Sequence, residues 1–286
     1  MTVVRKATPE DFNAIYPLFA GFKNPNLTQN DWQQLFNNCF ENDEGFCGYL
    51  MEHNGDIVGY LGLLFSKRII GGIEKKFCNL TGWIVKKEFR SKSLLLLFPA
   101  LKMTDYVFTD FSPSREAQTI LKKFGFNELE SIVHISLPVI SPHKLFFKKP
   151  VVFSHTKDIQ NELLSSEPLN KIFNDHLQFK CKHLLIKTKT GLCYIVYTKV
   201  RRKKIPVAQL HFISNPQVFN DYIDTIKVFL IRTQGVFIIL IDSRFTMKRP
   251  SFSIEHKLPI PRLFKSKSLS AREVDGLYSE LIALNL

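Results

Sequence analysis

The hydrophobic pattern of the first half of the chain switches repeatedly between the period of a strand and the period of a helix. Residues 1–140 show, in order, a strand, two helices, a hairpin, a long strand, a helix, a strand, a helix and a strand. Two capping boxes, Thr8–Asp11 and Thr28–Asp31, predict the starts of the first two helices. The Asn54-Gly55 pair between apolar segments predicts a two-residue hairpin turn. The pattern as a whole indicates a mixed α/β domain.

The segment from Thr81 to Phe126 carries the most specific part of this pattern. A strand, Thr81–Val85, runs into a short basic turn, Lys86–Ser93, and then into an apolar helix. A second strand leads through Ser112–Ser114 into a second helix, which closes on Gly125-Phe126. Unpaired backbone amides at the start of a helix, together with the helix dipole, bind anionic oxygens whatever the side chains are. The turn therefore predicts a site for a diphosphate.

The same segment resembles the acyl-CoA-binding core of the GNAT superfamily, the Gcn5-related N-acyltransferases. The family's loop reads Val-x-Pro-x-Tyr-Arg-Gly-x-Gly-x-Gly/Ala, and its second helix reads Asn-x-x-Ala-x-x-x-Tyr-x-x-x-Gly-Phe. This chain keeps that spacing with Val85, Lys87, Phe89, Arg90, Ser91, Lys92, Ser93, Leu94 and Leu95, and then with Ser114, Ala117, Leu121, Gly125 and Phe126. Ser93 and Leu95 replace family glycines, which permit positive φ and close backbone approach.

The resemblance implies a GNAT fold and acyl-CoA or acetyl-CoA as the co-substrate. It implies that the donor is held by Trp83, Ile84, Val85, Arg90, Ser91, Lys92, Ser93, Leu94, Leu95 and Ser114. A backbone amide of Trp83–Val85, where the family's fourth strand bulges, is expected to polarise the acyl carbonyl. Leu121 stands where the family has a tyrosine that protonates the leaving thiolate, but a thiol of pKa about 8.5 leaves without an acid.

Three polar residues are candidates for handling the acceptor amine. Asp110, near the carboxyl end of a strand, is a base or a substrate anchor, or else a helix cap. Asn79 precedes the predicted bulge and either binds a substrate through its amide or satisfies backbone groups. His134, in the apolar strand Ile132–Ile135, either deprotonates the amine or is a core histidine. The sequence leaves both interpretations open at each position.

The second half repeats part of this order without the donor motif. Residues 192–200 and 206–213 form a predicted hairpin around a basic turn, a helix follows Ser214–Pro216, and residues 235–242 form a buried strand. Ser214–Pro216 occupies the place of the phosphate loop, but the Arg-x-x-Gly-x-Gly motif is missing. Residues 141–150 are therefore predicted to link a GNAT domain at 1–140 to a degenerate GNAT-like domain at 151–286, which shapes the acceptor pocket.

Basic residues are concentrated in the second half of the chain. Up to residue 140 there are 15 lysines and arginines and 15 acidic residues, so the remainder, with 24 against 11, carries the whole net charge of +13. The densest run, Lys199–Lys204, is either a solvated hairpin turn or an attractor for an anionic ligand. CoA, nucleotide-linked sugars and nucleic acid all have the required charge.

Composition and motifs argue against several classes of protein. The sequence has no run of about 18 apolar residues that could span a membrane, and residues 1–6 lack the apolar core of a signal peptide. The five cysteines are scattered without a Cys-x-x-Cys pair, which favours reduced thiols in the cytoplasm. Cys181, His183 and Cys193 lack a second pair at ligand spacing, so no metal is expected. The basic runs do not alternate with aromatics, which makes nucleic acid a minor hypothesis.

These observations predict a cytoplasmic, acyl-CoA-dependent N-acyltransferase with tandem GNAT-like domains, only the first of which binds the thioester. The changed loop and the appended domain resemble acyltransferases of bacterial surface-polysaccharide synthesis, which implies a dTDP- or UDP-linked amino sugar as the acceptor. Two other classes stay open: a non-catalytic protein that binds CoA or a nucleotide, and an RNA-associated acyltransferase or binder. A monomer and a homodimer are both compatible with the sequence.

Overall fold

The computed structural model describes residues 1–22, 27–37, 40–129, 131–141, 150–189 and 191–286. The described strands are β1 (Thr2–Ala7), β2 (Gly48–His53), β3 (Asp56–Ile70), β4 (Ile73–Val85), β5 (Tyr106–Asp110), β6 (Asn127–Glu128), β7 (Ile132–Ser136), β8 (Val151–Phe153), β9 (Lys182–Lys187), β10 (Leu192–Arg202), β11 (Ile205–Ile213), β12 (Ile238–Asp242), β13 (Ser253–Lys257) and β14 (Leu263–Lys265). The described α-helices are α1 (Phe12–Phe19), α2 (Gln29–Gln33), α3 (Leu94–Leu101), α4 (Arg115–Lys123), α5 (Thr156–Leu163), α6 (Glu167–His176), α7 (Pro216–Gln234) and α8 (Glu280–Ala283).

These elements form two compact units, each built on one seven-stranded mixed sheet. The first unit comprises Met1–Leu129, Arg262–Val274 and Tyr278–Leu284, and the remaining segments form the second. The strand orders are β1-β2-β3-β4-β5-β14-β6 and β13-β7-β12-β11-β10-β9-β8. The predicted α/β class with mixed sheets is confirmed, and the two sheets fit a tandem arrangement.

The local signals in the sequence are present as structure in the first unit. Thr8 and Asp11 form a capping box immediately before α1, and Thr28 and Asp31 form another at the start of α2. The Asn54-Gly55 turn has φ of 52° and 90°, as a two-residue hairpin between β2 and β3 requires. Short-range interactions therefore fix where these elements begin.

The first sheet is covered on both faces. One face packs against α3 and α4 through a cluster that includes Leu61 and Leu97. The other face carries aromatic side chains, in which Phe19 stacks on Trp32 at 4.4 Å and meets Tyr60 edge-on at 5.8 Å between ring centroids. Tyr60 and Leu61 are neighbours on β3 and both are completely buried, because successive residues of a strand point to opposite faces.

Two strands pair far from their neighbours in sequence. The sequence placed Ile132–Ser136 in the first domain, whereas in the structure this strand, β7, pairs with β12 and β13 in the second sheet. In the first sheet, β14 lies between β5 and β6, with Leu263 opposite both Asp110 and Glu128. The predicted linker, residues 141–150, falls largely outside the described residues.

The second unit contains the predicted strand, strand, helix and strand as β10, β11, α7 and β12. β11 and β12 are parallel and pair through Val207–Gln209 and Ile238–Leu240. Asn215 caps α7, since its Oδ1 accepts a hydrogen bond from the Val218 amide at 3.1 Å. The basic run Lys199–Lys204 comprises the end of β10 and the two-residue turn before β11, and its charged residues are exposed.

The cysteines that the structure describes are all reduced thiols in the protein interior. Cys47, Cys78, Cys181 and Cys193 are free and buried, and Cys39 lies outside the described residues. None of the described helices is both long enough and apolar enough to cross a bilayer. The described ranges also contain no group of three histidine, cysteine or acidic side chains placed to hold a metal ion.

Candidate active site

β4 carries a bulge opposite β3. The register passes from Gly62 opposite Thr81 to Tyr60 opposite Ile84, so β4 has one residue more than β3 over this stretch. Gly82, in the bulge, has φ of +58°, a conformation that residues with a Cβ adopt only at a cost. Because a bulge leaves its extra residue out of the ladder, a backbone N–H becomes available there to an oxygen of a ligand.

β4 and β5 are parallel partners over only part of β4. Their pairing runs from Lys76 opposite Tyr106 to Asn79 opposite Thr109, and the two strands separate beyond that point. We call this separation the fork. A cleft of about 510 Å³ in this unit is lined by Trp83, Ile84, Val85, Arg90, Ser93, Ser114, Glu116, Ala117 and Ile120. The cleft thus contacts the strand after the bulge, the turn that follows it and the first turns of α4.

The cleft brings together six of the ten residues predicted to hold the donor. They are Trp83, Ile84, Val85, Arg90, Ser93 and Ser114. Ser91, Lys92, Leu94 and Leu95 do not line it. Lys92 Nζ instead donates to Thr2 Oγ1 at 2.9 Å, and Leu95 is 42% exposed on α3.

The turn after β4 is helical. A 3₁₀ helix, Lys87–Lys92, continues directly into α3, and the amides of Phe89, Ser93 and Leu96 each donate to the carbonyl oxygen three residues earlier. Ser93 has φ of −57°, in the right-handed helical region. Positive φ is therefore not needed at Ser93, where the sequence motif leads one to expect glycine, and serine is accommodated without backbone strain.

The lining side chains supply charges of both signs. Arg90 contributes a guanidinium, and Glu116 contributes a carboxylate on the first turn of α4. The pKa of Glu116 is lowered from its ordinary 4.5, chiefly by its own backbone amide and then by the Ser114 hydroxyl. Ser114 Oγ also accepts from the Ala117 amide at 3.1 Å and so caps α4. An anionic ligand in the cleft is attracted by Arg90 and by helix N-termini, and is repelled by Glu116.

Asn79 joins three segments at the base of the fork. Its Nδ2 donates to Thr109 O at 3.3 Å and to Thr109 Oγ1 at 3.1 Å, and its Oδ1 accepts from the Glu280 amide at 3.1 Å. The side chain is 1% exposed and does not line the cleft. Of the two interpretations open for Asn79 in the sequence, these contacts favour the one in which the amide satisfies backbone groups.

Asp110 lies beside a carboxyl group that the sequence did not identify, that of Glu280 on α8. Glu280 Oε1 accepts from the Phe111 amide at 3.2 Å and from Ser112 Oγ at 2.7 Å. Burial and then the charge of Glu280 raise the pKa of Asp110 well above its ordinary 3.8, while the Ser112 amide opposes the shift. Burial also raises the pKa of Glu280, against hydrogen bonds from Ser112, Asn79 and Phe111. Burial therefore disfavours ionisation of both carboxyl groups in this shared site.

Glu280 has one weak signal in the sequence. It is the single acidic residue in the run Leu277–Leu284, whose other members are mostly apolar and which is buried throughout. Charged residues are rarely buried without a partner or a functional role. An isolated acidic residue in an apolar run is therefore a candidate functional residue. Nothing in the local sequence indicates that it pairs with Asp110.

His134 lies in the other unit from Asn79 and Asp110. It is on β7, opposite Ile241 of β12 and Glu255 of β13, and is 5% exposed. Two of the three predicted acceptor-handling residues therefore belong to the first unit and the third belongs to the second. The reason is that β7 pairs with the second sheet, although it follows directly on β6 of the first in sequence.

The chain is similar to known proteins in structure but not in sequence. No protein-family model and no curated protein matches this sequence. A GCN5-related N-acetyltransferase from Anabaena variabilis ATCC 29413 superposes with a TM-score of 0.57 at 12% identity, covering 93% of this chain and 72% of that one. One from Kribbella flavida gives 0.58 at 11% identity, over 92% and 70%. A glucosamine N-acetyltransferase region in a fungal multi-domain GH3 β-N-acetylglucosaminidase gives 0.58 at 12% identity, over 92% and 38%.

The chain has the GNAT fold. The resemblance carried by Thr81–Phe126 is thereby confirmed at the level of the fold. In this GNAT fold, the bulge at Gly82 and the fork after Asn79 lie on the same strand, and the cleft contacts that strand between Trp83 and Val85. The fold alone does not identify the donor or the acceptor, so both are inferred from the residues that line the cleft.

Proposed function

We propose that this protein is an acyl-CoA-dependent N-acyltransferase whose thioester occupies the cleft of the first unit. The observation that carries the proposal is the position of the cleft, which extends from the bulged strand to the starts of two helices. A thioester carbonyl next to the bulge accepts a hydrogen bond from the free backbone N–H, which stabilises the oxyanion that forms when an amine attacks. The arrangement supplies positioning and polarisation, the two largest needs of this reaction.

We assign the pantetheine arm and the diphosphate of the donor to separate parts of the cleft. The edge of β4 beyond Asn79 is not paired with β5, so its backbone at Trp83–Val85 is available to the amides of the pantetheine arm, as an exposed edge is to an added strand. The diphosphate lies at the turn Lys87–Lys92 and the start of α3, with Arg90 as a basic side chain that lines the cleft.

The thiolate leaves without a protein acid in this proposal. Leu121 is completely buried in the core and carries no proton to donate. A thiolate whose conjugate acid has a pKa of about 8.5 is stable enough to leave at neutral pH and takes its proton from solvent. The rate is therefore expected to depend more on deprotonation of the amine than on protonation of the sulfur.

For the acceptor we propose an amino sugar, with a dTDP- or UDP-linked one as the first candidate. Such an amine has a lower pKa than a lysine side chain and needs less help to lose its proton. The excess of basic residues after residue 140 suits an acceptor that bears a diphosphate. We assign recognition of the acceptor to the second unit, and we propose cytoplasmic action on these small molecules.

The experiment has two arms on the purified full-length protein. Calorimetry with CoA measures donor binding, and release of free thiol from acetyl-CoA is followed with glucosamine, dTDP-linked and UDP-linked amino sugars and simple amines. We expect 1:1 binding of CoA and thiol release that depends on an amine. Absence of CoA binding overturns the proposal.

A second candidate is a non-catalytic CoA-binding protein. Leu121 favours it, because the residue cannot protonate a thiolate, and so does the carboxylate of Glu116 in the cleft. CoA binding without thiol release from any amine in the panel identifies this alternative.

A further inference from the structure

The C-terminal segment of the chain inserts one side chain into the base of the fork. Glu280 follows the turn at Tyr278 and is 1% exposed, and its backbone amide donates to Asn79 Oδ1 at 3.1 Å. Its carboxyl group reaches the carboxyl end of β5, where Oε1 accepts from the Phe111 amide at 3.2 Å and from Ser112 Oγ at 2.7 Å. The glutamate is thus held at both its backbone and its side chain.

The second carboxyl oxygen of Glu280 has no such partner. Among the described residues, nothing forms a hydrogen bond to Oε2, although this oxygen is inaccessible to solvent. A buried carboxylate oxygen left without a donor is costly, and a purely structural role does not require it. The lack of a donor at Oε2 makes the carboxylate more basic, so it holds a proton delivered to Oε1 more tightly.

Hydrogen bonds and neighbouring charges bear on which of the two carboxyl groups is ionised. Asp110 on β5 is the neighbouring acid. Arg68 lies with its guanidinium carbon 5.2 Å from the centre of the Tyr278 ring, and Arg262 lies 6.0 Å from the centre of the Phe111 ring. Glu280 accepts two hydrogen bonds through one oxygen, which favours its charged form. Of the two acids, Glu280 is therefore the one whose ionised form receives more hydrogen bonds.

Ser112 connects this buried carboxylate to the outside of the protein. The residue is exposed, and its hydroxyl donates to Glu280. Ser112 also lies two residues before Ser114, which lines the cleft. A hydroxyl that donates to a carboxylate and is open to solvent can accept a proton on one side while giving one up on the other.

The segment that carries Glu280 is held in a strained conformation. Tyr278 has φ of +55° while being 3% exposed, and a bulky residue in the left-handed region is a genuine outlier. Strain of this kind costs about 1–3 kcal/mol and concentrates at sites where a group must be held in place. The insertion of Glu280 is thus retained despite an unfavourable backbone.

We propose that Glu280 receives the proton of the acceptor amine through the hydroxyl of Ser112. This inference rests on the proposed function. As the amine nitrogen attacks, its C–N bond forms and the C–S bond of the thioester breaks. The ammonium proton passes to Ser112 Oγ while the Ser112 proton passes to Glu280. The products are the amide, the CoA thiolate and a neutral Glu280, which later returns its proton to solvent.

The test is the pH dependence of acyl transfer in the full-length protein with Glu280→Gln. The amide side chain retains the size and an acceptor oxygen but cannot take a proton. We expect kcat to fall by about 10²-fold or more, as for the loss of a general base, and the acidic limb of the pH–rate profile to vanish. CoA affinity by calorimetry is expected to stay within twofold. Glu74→Gln, at an exposed position on β4, is the matched control and is expected to retain both rate and profile.

Ser112→Ala provides a second, independent variant, because it leaves both carboxyl groups in place. We expect a similar fall in kcat, and a double variant no slower than Glu280→Gln alone, since the two residues act in one path. Wild-type rates and an intact acidic limb in both variants overturn the inference but leave the proposed function standing. If wild-type protein binds no CoA, the proposed function fails first, and the inference fails with it.

Discussion

Asp110 and Glu280 are 170 residues apart in sequence, yet their carboxyl groups share one buried site at the end of β5. Asp110 is 7% exposed and Glu280 is 1% exposed. Two acids so enclosed cannot both be ionised at low cost, because each lacks water and each repels the other. The pair therefore makes the stability of the first unit depend on pH.

Stability is expected to fall as pH rises above the ordinary pKa of Asp110, which is 3.8. Its folded-state pKa is raised, so the folded protein binds more protons than the unfolded chain in that range, and a rise in pH favours unfolding. Asp110→Asn is expected to flatten this dependence, by about 1.4 kcal/mol for each unit of raised pKa that it removes. Urea unfolding from pH 5 to 9 measures the effect. Asp105→Asn, at an exposed position, serves as the control, and equal slopes for all three proteins contradict the prediction.

Replacement of Arg90 by alanine is expected to weaken CoA binding by roughly tenfold, which is about 1.4 kcal/mol. The guanidinium lines the cleft and is the group best suited to a diphosphate. Lys92→Ala is the matched control, because that ammonium donates to Thr2 and does not line the cleft. Calorimetry with CoA at two salt concentrations separates the two variants. Equal losses for both would place the diphosphate elsewhere.

Gly82→Ala is expected to destabilise the protein by about 1–2 kcal/mol and to slow acyl transfer. The residue has φ of +58° in the bulge, and an added Cβ disfavours that conformation. Gly45→Ala is the control, since Gly45 has φ of +62° and open space around its Cα. Both variants are expected to lose similar stability in thermal melts, and only Gly82→Ala is expected to lose activity. Full activity in Gly82→Ala argues against an oxyanion site at the bulge.

Asn79→Ala is expected to destabilise the first unit by about 1–3 kcal/mol, because the buried amide of Glu280 loses its acceptor and Thr109 loses its donor. Asn170→Ala removes an amide whose hydrogen bond to Asn174 is exposed, and is expected to cost much less. Denaturant titration compares the two variants. A cost for Asn79→Ala no greater than that for Asn170→Ala would show that the fork does not depend on this side chain.

The sequence identified the parts of the site that depend on local signals. The capping boxes at Thr8 and Thr28, the Asn54-Gly55 turn and the order of elements through Phe126 are all present in the structure. Six of the ten residues assigned to the donor line one cleft, because they lie within two short segments that flank the fork. The helical turn at Lys87–Lys92 was not anticipated, since its motif led one to expect glycines with positive φ.

By itself, the sequence determined the alternation of strand and helix patterns, the start of each early helix and six of the residues that line the cleft. These features depend on neighbours within about four residues or on a single strand. Only the tertiary structure decided that β14 enters the first sheet, that β7 joins the second, and that Glu280 meets Asp110. Strands pair through the same backbone N–H and C=O groups at every residue. The sequence of a short segment such as Leu263–Lys265 therefore does not show which strand it pairs with. The burial of Glu280 likewise depends on residues some 170 positions away, so it cannot be predicted from the neighbouring sequence.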